Sequence, residues 1–167
     1  KTAYEIRNCD WSSDVCSSDL LKFFDIHFED YINNIKEKNI HKELENIFLN
    51  FPNDLKNLPN LIFYGPNGIG KYSQSLYSIL KYSQSLLKYE KKILINFNKE
   101  EYYIKISDIH YEVDMSLLGC NSKLLWHEIY NQICEIINLK QEKVGIIICK
   151  EFHYIQNELL EIGRAHV

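Results

Sequence analysis

Leu61 to Ser73, LIFYGPNGIGKYS, constrains this chain more than any other stretch. Four residues of strand character, Leu61 to Tyr64, run into a loop with glycines at Gly65, Gly68 and Gly70, and Lys71 follows at once. Gly-x-x-x-x-Gly-Lys is the spacing of a phosphate-binding loop. Its glycines let successive backbone N–H groups turn inward around a polyphosphate, the lysine reaches the outer phosphates, and the helix that starts there adds its N-terminal dipole. The predicted nucleotide-binding set is Gly65, Pro66, Asn67, Gly68, Ile69, Gly70, Lys71, Tyr72 and Ser73, with a strand before it and a helix-compatible run, Tyr72 to Leu87, after it. A Gly-rich turn with no ligand is the plain alternative.

The motif departs from its pattern at one place. A Ser or Thr hydroxyl normally follows the lysine and ligates Mg²⁺, and here the residue is Tyr72. A phenol extends from a longer, rigid arm. Ser73, one residue further and about 100° around the helix, is the substitute metal ligand if the loop shifts. The sequence therefore favours nucleotide binding over hydrolysis.

The two ends do not read as protein. Residues 1–20, KTAYEIRNCDWSSDVCSSDL, resemble a translated short-read sequencing adapter, and residues 161–167, EIGRAHV, match the opposite strand of the same adapter. Both are set aside for fold reasoning. The remaining 140 residues, Leu21 to Leu160, carry 16 basic and 18 acidic side chains, net charge −2, and no arginine. That stretch is long enough to bury one core, and without a basic excess its composition gives no nucleic-acid footprint. Its cysteines, Cys120, Cys134 and Cys149, are odd in number and unpaired in spacing, as suits a reducing compartment. No apolar run approaches the roughly eighteen residues of a membrane span, so no membrane partner is expected.

In chain order, residues 21–57 read as an N-terminal helical segment and 58–160 as a nucleotide-binding core cut short. Phe28, Ile32 and Ile35, then Ile40, Leu44, Ile47 and Phe48, recur at near-helical spacing, giving one long or two short amphipathic helices between Phe23 and Phe51. The hexapeptide KYSQSL occurs at Lys71 to Leu76 and again at Lys81 to Leu86; ten residues is not a repeat-protein period. Lys88, Lys91 and Lys92 read as a solvated helix end or an anion contact. Ile93 to Phe97 and Tyr102 to Ile106 alternate and predict a hairpin or neighbouring strands. Asp108 to Asp114 is an extended, acidic segment, and Asn121-Ser122 can cap a helix whose Leu125, Ile129, Ile133 and Ile136 share a face. Val144 to Cys149 has the wholly apolar character of a strand buried on both faces of a parallel sheet. This order predicts an α/β sandwich around a parallel sheet, with the phosphate loop at the carboxyl end of its first core strand.

Other constellations dissolve on inspection. His127-Glu128-Ile129-Tyr130-Asn131 begins like the zinc-protease helix, but Asn131 stands where the second histidine is needed, so His127 reads as a surface residue. Tyr102, Tyr103, Tyr111 and Tyr154 are candidates for a base-stacking platform or, more simply, strand aromatics. After IIIC come Lys150 and Glu151. In a phosphate-loop NTPase this strand ends in an Asp that helps hold Mg²⁺ and often a Glu that polarises water. Lys150 at the Asp position opposes a metal by Coulomb repulsion, whereas Glu151 is the candidate catalytic residue.

LPNLIFYGPNGIGKYS, Leu58 to Ser73, resembles the Leu-Pro-His-Leu-Leu-Phe-Tyr-Gly-Pro-x-Gly-x-Gly-Lys stretch of replication factor C small subunits, the AAA+ clamp loaders. DIHYEVDMSLLG, Asp108 to Gly119, resembles a later Asn-Tyr-His-Leu-Glu-Val stretch of one subunit type. GIIICKEFHYI, Gly145 to Ile155, resembles its hydrophobic strand and Asn-Glu-Val-Asp-Lys-Leu sequence, with Lys150 in the metal-site position, Glu151 matching the glutamate and His153 replacing a later acid. The resemblance covers Leu58 to Leu160. It implies a P-loop NTPase (AAA+) three-layer sandwich with a parallel sheet, incomplete at the C-terminus, and ATP and Mg²⁺ as ligands. It also implies, as partners, other clamp-loader subunits, the sliding clamp and primer–template DNA. An intracellular setting follows, in cytoplasm, nucleus or a viral replication compartment, and the AT-rich codon bias behind so many Ile, Lys, Asn, Tyr and Phe suits a protist or large DNA virus. The expected activity is that of an ATP-binding subunit in DNA replication with weak or no hydrolysis. Its rivals are a stand-alone ATPase or kinase that uses Ser73 and Glu151, and a non-catalytic scaffold.

Overall fold

A computed structural model describes residues 26–98, 100–119 and 122–155. The two adapter-like ends, Cys120 and the proposed cap at Asn121 lie outside the described residues.

Two short helices form where one long or two short were expected, α1 over Phe28–Glu37 and α2 over Lys42–Leu49. The Asp30 carboxylate accepts the His27 backbone N–H and starts α1. The break between them lies at Asn39, whose side-chain oxygen accepts the His41 N–H and offers the backbone a turn in place of another helical bond. Phe28, Ile32 and Ile35, spaced along one face of α1, are buried, as is Phe48 of α2, whereas Ile40 and Ile47 face solvent. Helix α3 spans Lys71–Ile79 and tightens into a 3₁₀ turn at Leu80–Tyr82. The helix predicted to Leu87 thus ends five residues early.

Strand β1, Lys91–Phe97, pairs antiparallel with β2, Glu100–Ile106, across the predicted hairpin, with Phe97 opposite Glu100 and Lys91 opposite Ile106. β2 pairs antiparallel with β3, His110–Asp114, and β3 pairs in parallel with β4, Ile146–Lys150, after the long helix α4 over Ser122–Asn138. The order β1-β2-β3-β4 makes a mixed sheet with two antiparallel pairings and one parallel.

The expected parallel-sheet P-loop (AAA+) three-layer sandwich is therefore corrected. Two physical causes account for the difference. The alternating segments close a local antiparallel hairpin, and the stretch meant to be the first core strand finds no ladder. Residues 61–64 belong to no strand and lie outside the sheet, with Ile62 92% and Tyr64 96% exposed. Phe63 alone is tucked in, its ring 6.4 Å from that of Phe48. β4 also departs from expectation: it lies at the sheet edge and every one of its residues keeps some exposure, where burial on both faces was predicted.

The pleat of β3 and β4 divides the core. Tyr111 and Val113, with Ile147 and Cys149, pack toward Leu125, Ile129 and Ile133 of α4 and the inner faces of β1 and β2. Ile146 and Ile148 instead pack with Phe28 and Ile32 of α1, Leu76 and Ile79 of α3, and Leu87. Each fully buried Ile or Leu stabilises by about 1.5–3 kcal/mol relative to exposure, so both faces of the sheet are anchored by helices. No helix among the described residues is long and apolar enough to cross a membrane.

Candidate functional site

The glycine-rich segment begins at Gly65 and enters α3 at Lys71. Gly68 and Gly70 have φ of +81° and +83°, left-handed values that a side chain rarely tolerates, and nothing lies within 4 Å of where their Cβ atoms would be. Backbone conformation rather than crowding is what requires glycine there. Gly70 caps α3 and its carbonyl accepts the Gln74 N–H at 2.9 Å. The N–H groups of the first turn of α3 have no partner one turn back within the helix, so they open toward the loop with the positive end of the helix dipole. Lys71 folds over the loop, its Nζ donating to the carbonyls of Gly65 at 2.8 Å and Pro66 at 2.7 Å. Pro66 and Asn67 are exposed and Ile69 is half-buried.

A brace from the N-terminal helices fixes this loop, and no local pattern announces it. His41 Nε2 lies 2.9 Å from the Ile69 carbonyl and, since a carbonyl only accepts, donates to it. Next to it, Gln74 Nε2 donates to Asn39 Oδ1 from a buried position on α3.

Tyr72 points away from the loop mouth into the protein. Its hydroxyl donates to Glu112 Oε1 at 2.5 Å, and its ring meets Tyr31 edge-on. Burial, and secondarily the Glu112 charge, push the phenol's pKa far above its ordinary value, so it remains a donor at any working pH. Glu112 is itself buried on β3, with Lys150 Nζ 3.7 Å from Oε2 and His110 Nε2 3.6 Å from Oε1. The Lys150 ammonium also lies 4.9 Å from the centre of the Tyr72 ring. The Ser107 hydroxyl oxygen accepts the Ile109 and His110 backbone N–H groups and lies 2.5 Å from His110 Nδ1. The hydroxyl proton is thus directed at Nδ1, and Nε2 faces Glu112.

The structure brings Tyr72 and Lys150, the two departures from the motif, together on one buried carboxylate. Ser73 is half-buried on the first turn of α3. Glu151 follows β4 in a left-handed conformation, φ +50°, exposed, with His153 Nδ1 3.6 Å from its carboxylate. It stands apart from the Glu112 cluster in the contacts it makes. The tyrosine platform does not form: Tyr111 is fully buried in the core, whereas Tyr103 and Tyr154 are exposed. His127 is exposed, and Lys88 pairs with Glu29 at 3.3 Å.

Sequence reasoning missed Glu112, the centre of the cluster. Its signal was the alternation in His110-Tyr111-Glu112-Val113, which sets a histidine and a glutamate on one face of a strand and two core residues on the other.

Tested against Mg²⁺, the donor set does not fit. A hard divalent ion needs several oxygen ligands in octahedral array. Here the hydroxyl position is a phenol already committed as a donor, the acid position is an ammonium, and both Glu112 oxygens face positive or donor groups. Among the described residues no group of three or more His, Cys, Asp or Glu side chains is placed to hold a metal ion. Compared with protein-family models and with curated proteins, the chain matches none of either.

Proposed function

We propose that the chain binds the polyphosphate of ATP at Gly65–Lys71 and acts as a clamp-loader-like subunit in DNA replication, with hydrolysis weak or absent. The observation that carries the binding half is the loop itself: left-handed Gly68 and Gly70, an open helix N-terminus, and a lysine ammonium resting on two loop carbonyls that an anion can draw it from. The replication half rests on the order and spacing of the three stretches between Leu58 and Leu160 that resemble replication factor C small subunits. Its partners are other clamp-loader subunits, a sliding clamp and primer–template DNA, in cytoplasm, nucleus or a viral replication compartment. Weak hydrolysis is favoured by the Tyr72 and Lys150 positions, which deny Mg²⁺ its usual ligands.

Calorimetric titration of ATP into the wild-type chain and Lys71→Ala tests the reading. Loss of the lysine is expected to weaken binding at least about tenfold, the worth of a charge-assisted hydrogen bond. Equal affinity in the two chains refutes it.

A further inference from the structure

We propose that the cleft between β2 and β3 is a docking slot for an extended peptide in which apolar residues alternate with basic ones. The inference is independent of the reading of Gly65–Lys71.

β2 and β3 begin as partners and then part. Lys105 pairs with Glu112 and Ile106 with Tyr111, and there the ladder stops, although β2 stays paired with β1 along its whole length to Glu100. The end of β3 is turned aside. Asp114 Oδ1 accepts the Ser116 N–H at 3.0 Å and the Ser116 hydroxyl at 2.6 Å, which starts the 3₁₀ turn Met115–Leu117 and ends the strand. A cavity of about 300 Å³ lies where the strands part, at the small end of the range for ligand pockets. Ile104, Val113, Leu118 and Ile129, all buried, form its apolar floor. Its rim carries exposed Tyr103 and Leu117 and two carboxylates, exposed Glu101 and half-buried Asp114. Among the described residues no basic side chain lines it.

The pleat sets the chemistry of the occupant. The Ser107 N–H donates to the His110 carbonyl at 2.8 Å, so at the two-residue period of a strand the backbone groups of Lys105, Tyr103 and Glu101 turn toward β3. Lys105 finds Glu112 there, whereas the next pair in register, Tyr103 with Asp114, is not made. Tyr103 therefore presents its backbone N–H and C=O to a strand entering the slot, the geometry of β-strand addition. The same alternation sorts the side chains. Ile104 and Val113 belong to the face packed on α4, and Glu101 and Asp114 to the other. A strand laid between β2 and β3 turns one residue onto the apolar floor and its two neighbours toward the carboxylates. Valine or isoleucine flanked by lysine or arginine satisfies both faces, and opposite charges on neighbouring strands attract.

The peptide acetyl-Lys-Val-Lys-Val-Lys-amide, titrated to about 1 mM into the full isotope-labelled chain and followed by amide chemical shifts, tests the proposal. Circular dichroism establishes that each variant is folded. Saturable shifts are expected at Glu101, Tyr103, Ile104 and Asp114. Glu101→Lys, at an exposed position, is expected to weaken binding about fivefold or more, because an attraction across the slot becomes a repulsion. Peptides with serine for valine, with glutamate for lysine, or with methylated lysine backbone nitrogens are expected to lose binding, since each removes one of the three recognition elements. Absence of shifts in the folded wild-type chain overturns the proposal, as does equal affinity in Glu101→Lys. Equal binding of the serine peptide also overturns it, by reducing the slot to an acidic surface. Shifts at the same amides that follow protein concentration without peptide assign the slot to a second copy of the chain and overturn the peptide as its occupant.

Discussion

The same six residues, KYSQSL, take two structures ten positions apart. At Lys71 to Leu76 they form the start of α3; at Lys81 to Leu86 they pass from a 3₁₀ turn into an irregular turn. Their side chains diverge accordingly. Lys71 donates to the loop carbonyls of Gly65 and Pro66, whereas Lys81 donates to the Phe51 carbonyl. The Tyr72 hydroxyl serves buried Glu112, and that of Tyr82 serves the Pro52 carbonyl at 2.6 Å. Gln74 is buried, and Gln84 is exposed. Leu76 is fully buried, but Leu86 is 52% exposed and left-handed.

Local propensity is identical in the two copies, so tertiary contacts decide between them. The first copy follows a glycine cap and turns Leu76 onto α1. The second meets a polar latch: the Ser83 hydroxyl donates to Asp108 at 2.8 Å and accepts the Leu87 N–H at 2.8 Å, while the Ser85 N–H donates to Asp108. Those bonds hold the chain out of a helix. They also let Leu87, the next residue, bury completely despite its left-handed backbone.

Substitutions at three positions sharpen or break the contrast. Leu76→Ala is expected to cost about 2–5 kcal/mol by leaving a cavity under α3, whereas Leu86→Ala, at the matching position of the second copy, costs less than about 0.5 kcal/mol. Urea denaturation of the two variants measures the gap, and equal losses would show that the copies are energetically alike.

Asp108→Ala removes the latch and strands its donors, for an expected loss of about 1 kcal/mol at neutral pH after allowance for partial solvent exposure. Burial opposes the Asp108 charge, but the Ser85 N–H and the Ser83 and Ser85 hydroxyls outweigh it and hold the carboxyl below its ordinary value of 3.8. A depressed folded-state value means that the stabilisation is fully present above the unfolded value and disappears as pH falls through the folded one. The difference between wild type and variant should therefore be constant near neutrality and narrow below about pH 4. A difference that instead widens on acidification contradicts the latch.

The smallest effect is expected from Leu86→Gly. With φ +55° and a half-exposed side chain, this leucine gives up backbone strain on substitution, so stability should change little or rise by about 0.5 kcal/mol. A loss above about 1 kcal/mol in thermal unfolding would assign the side chain a packing role that its exposure does not suggest.

What the sequence reveals and conceals divides along the same line. Ile93, Ile95 and Phe97 against Tyr102, Ile104 and Ile106 announce the β1–β2 hairpin by alternation, and Leu125, Ile129 and Ile133 announce α4 by helical spacing. Both patterns depend only on near neighbours in the chain. The glycine-rich turn is legible for the same reason, because left-handed Gly68 and Gly70 and the Lys71 contacts with Gly65 and Pro66 all lie within seven residues. Residues 61–64 show the limit: strand character is local, but a strand needs a partner, and no pattern within those four residues specifies one. Glu112 was concealed because its role depends on β3 lying beneath α3 and beside β4, which no single stretch encodes. Lys150 was half legible. Its charge opposed a metal in the sequence, and only the fold joined it to Tyr72.

β4 carries one further consequence, for solubility. It pairs with β3 alone among the described strands, its residues are Ile146, Ile147, Ile148, Cys149 and Lys150, and each keeps some exposure. Burial pushes the Cys149 thiol up to about 11, so this cysteine stays protonated and adds no charge at neutral pH. An uncharged, β-branched edge of this kind is a template for another strand, and natural sheets guard such edges with a lysine. Lys150 is that gatekeeper here. A neutral residue in its place should promote edge-to-edge association that grows with protein concentration, visible in light scattering before any unfolding transition.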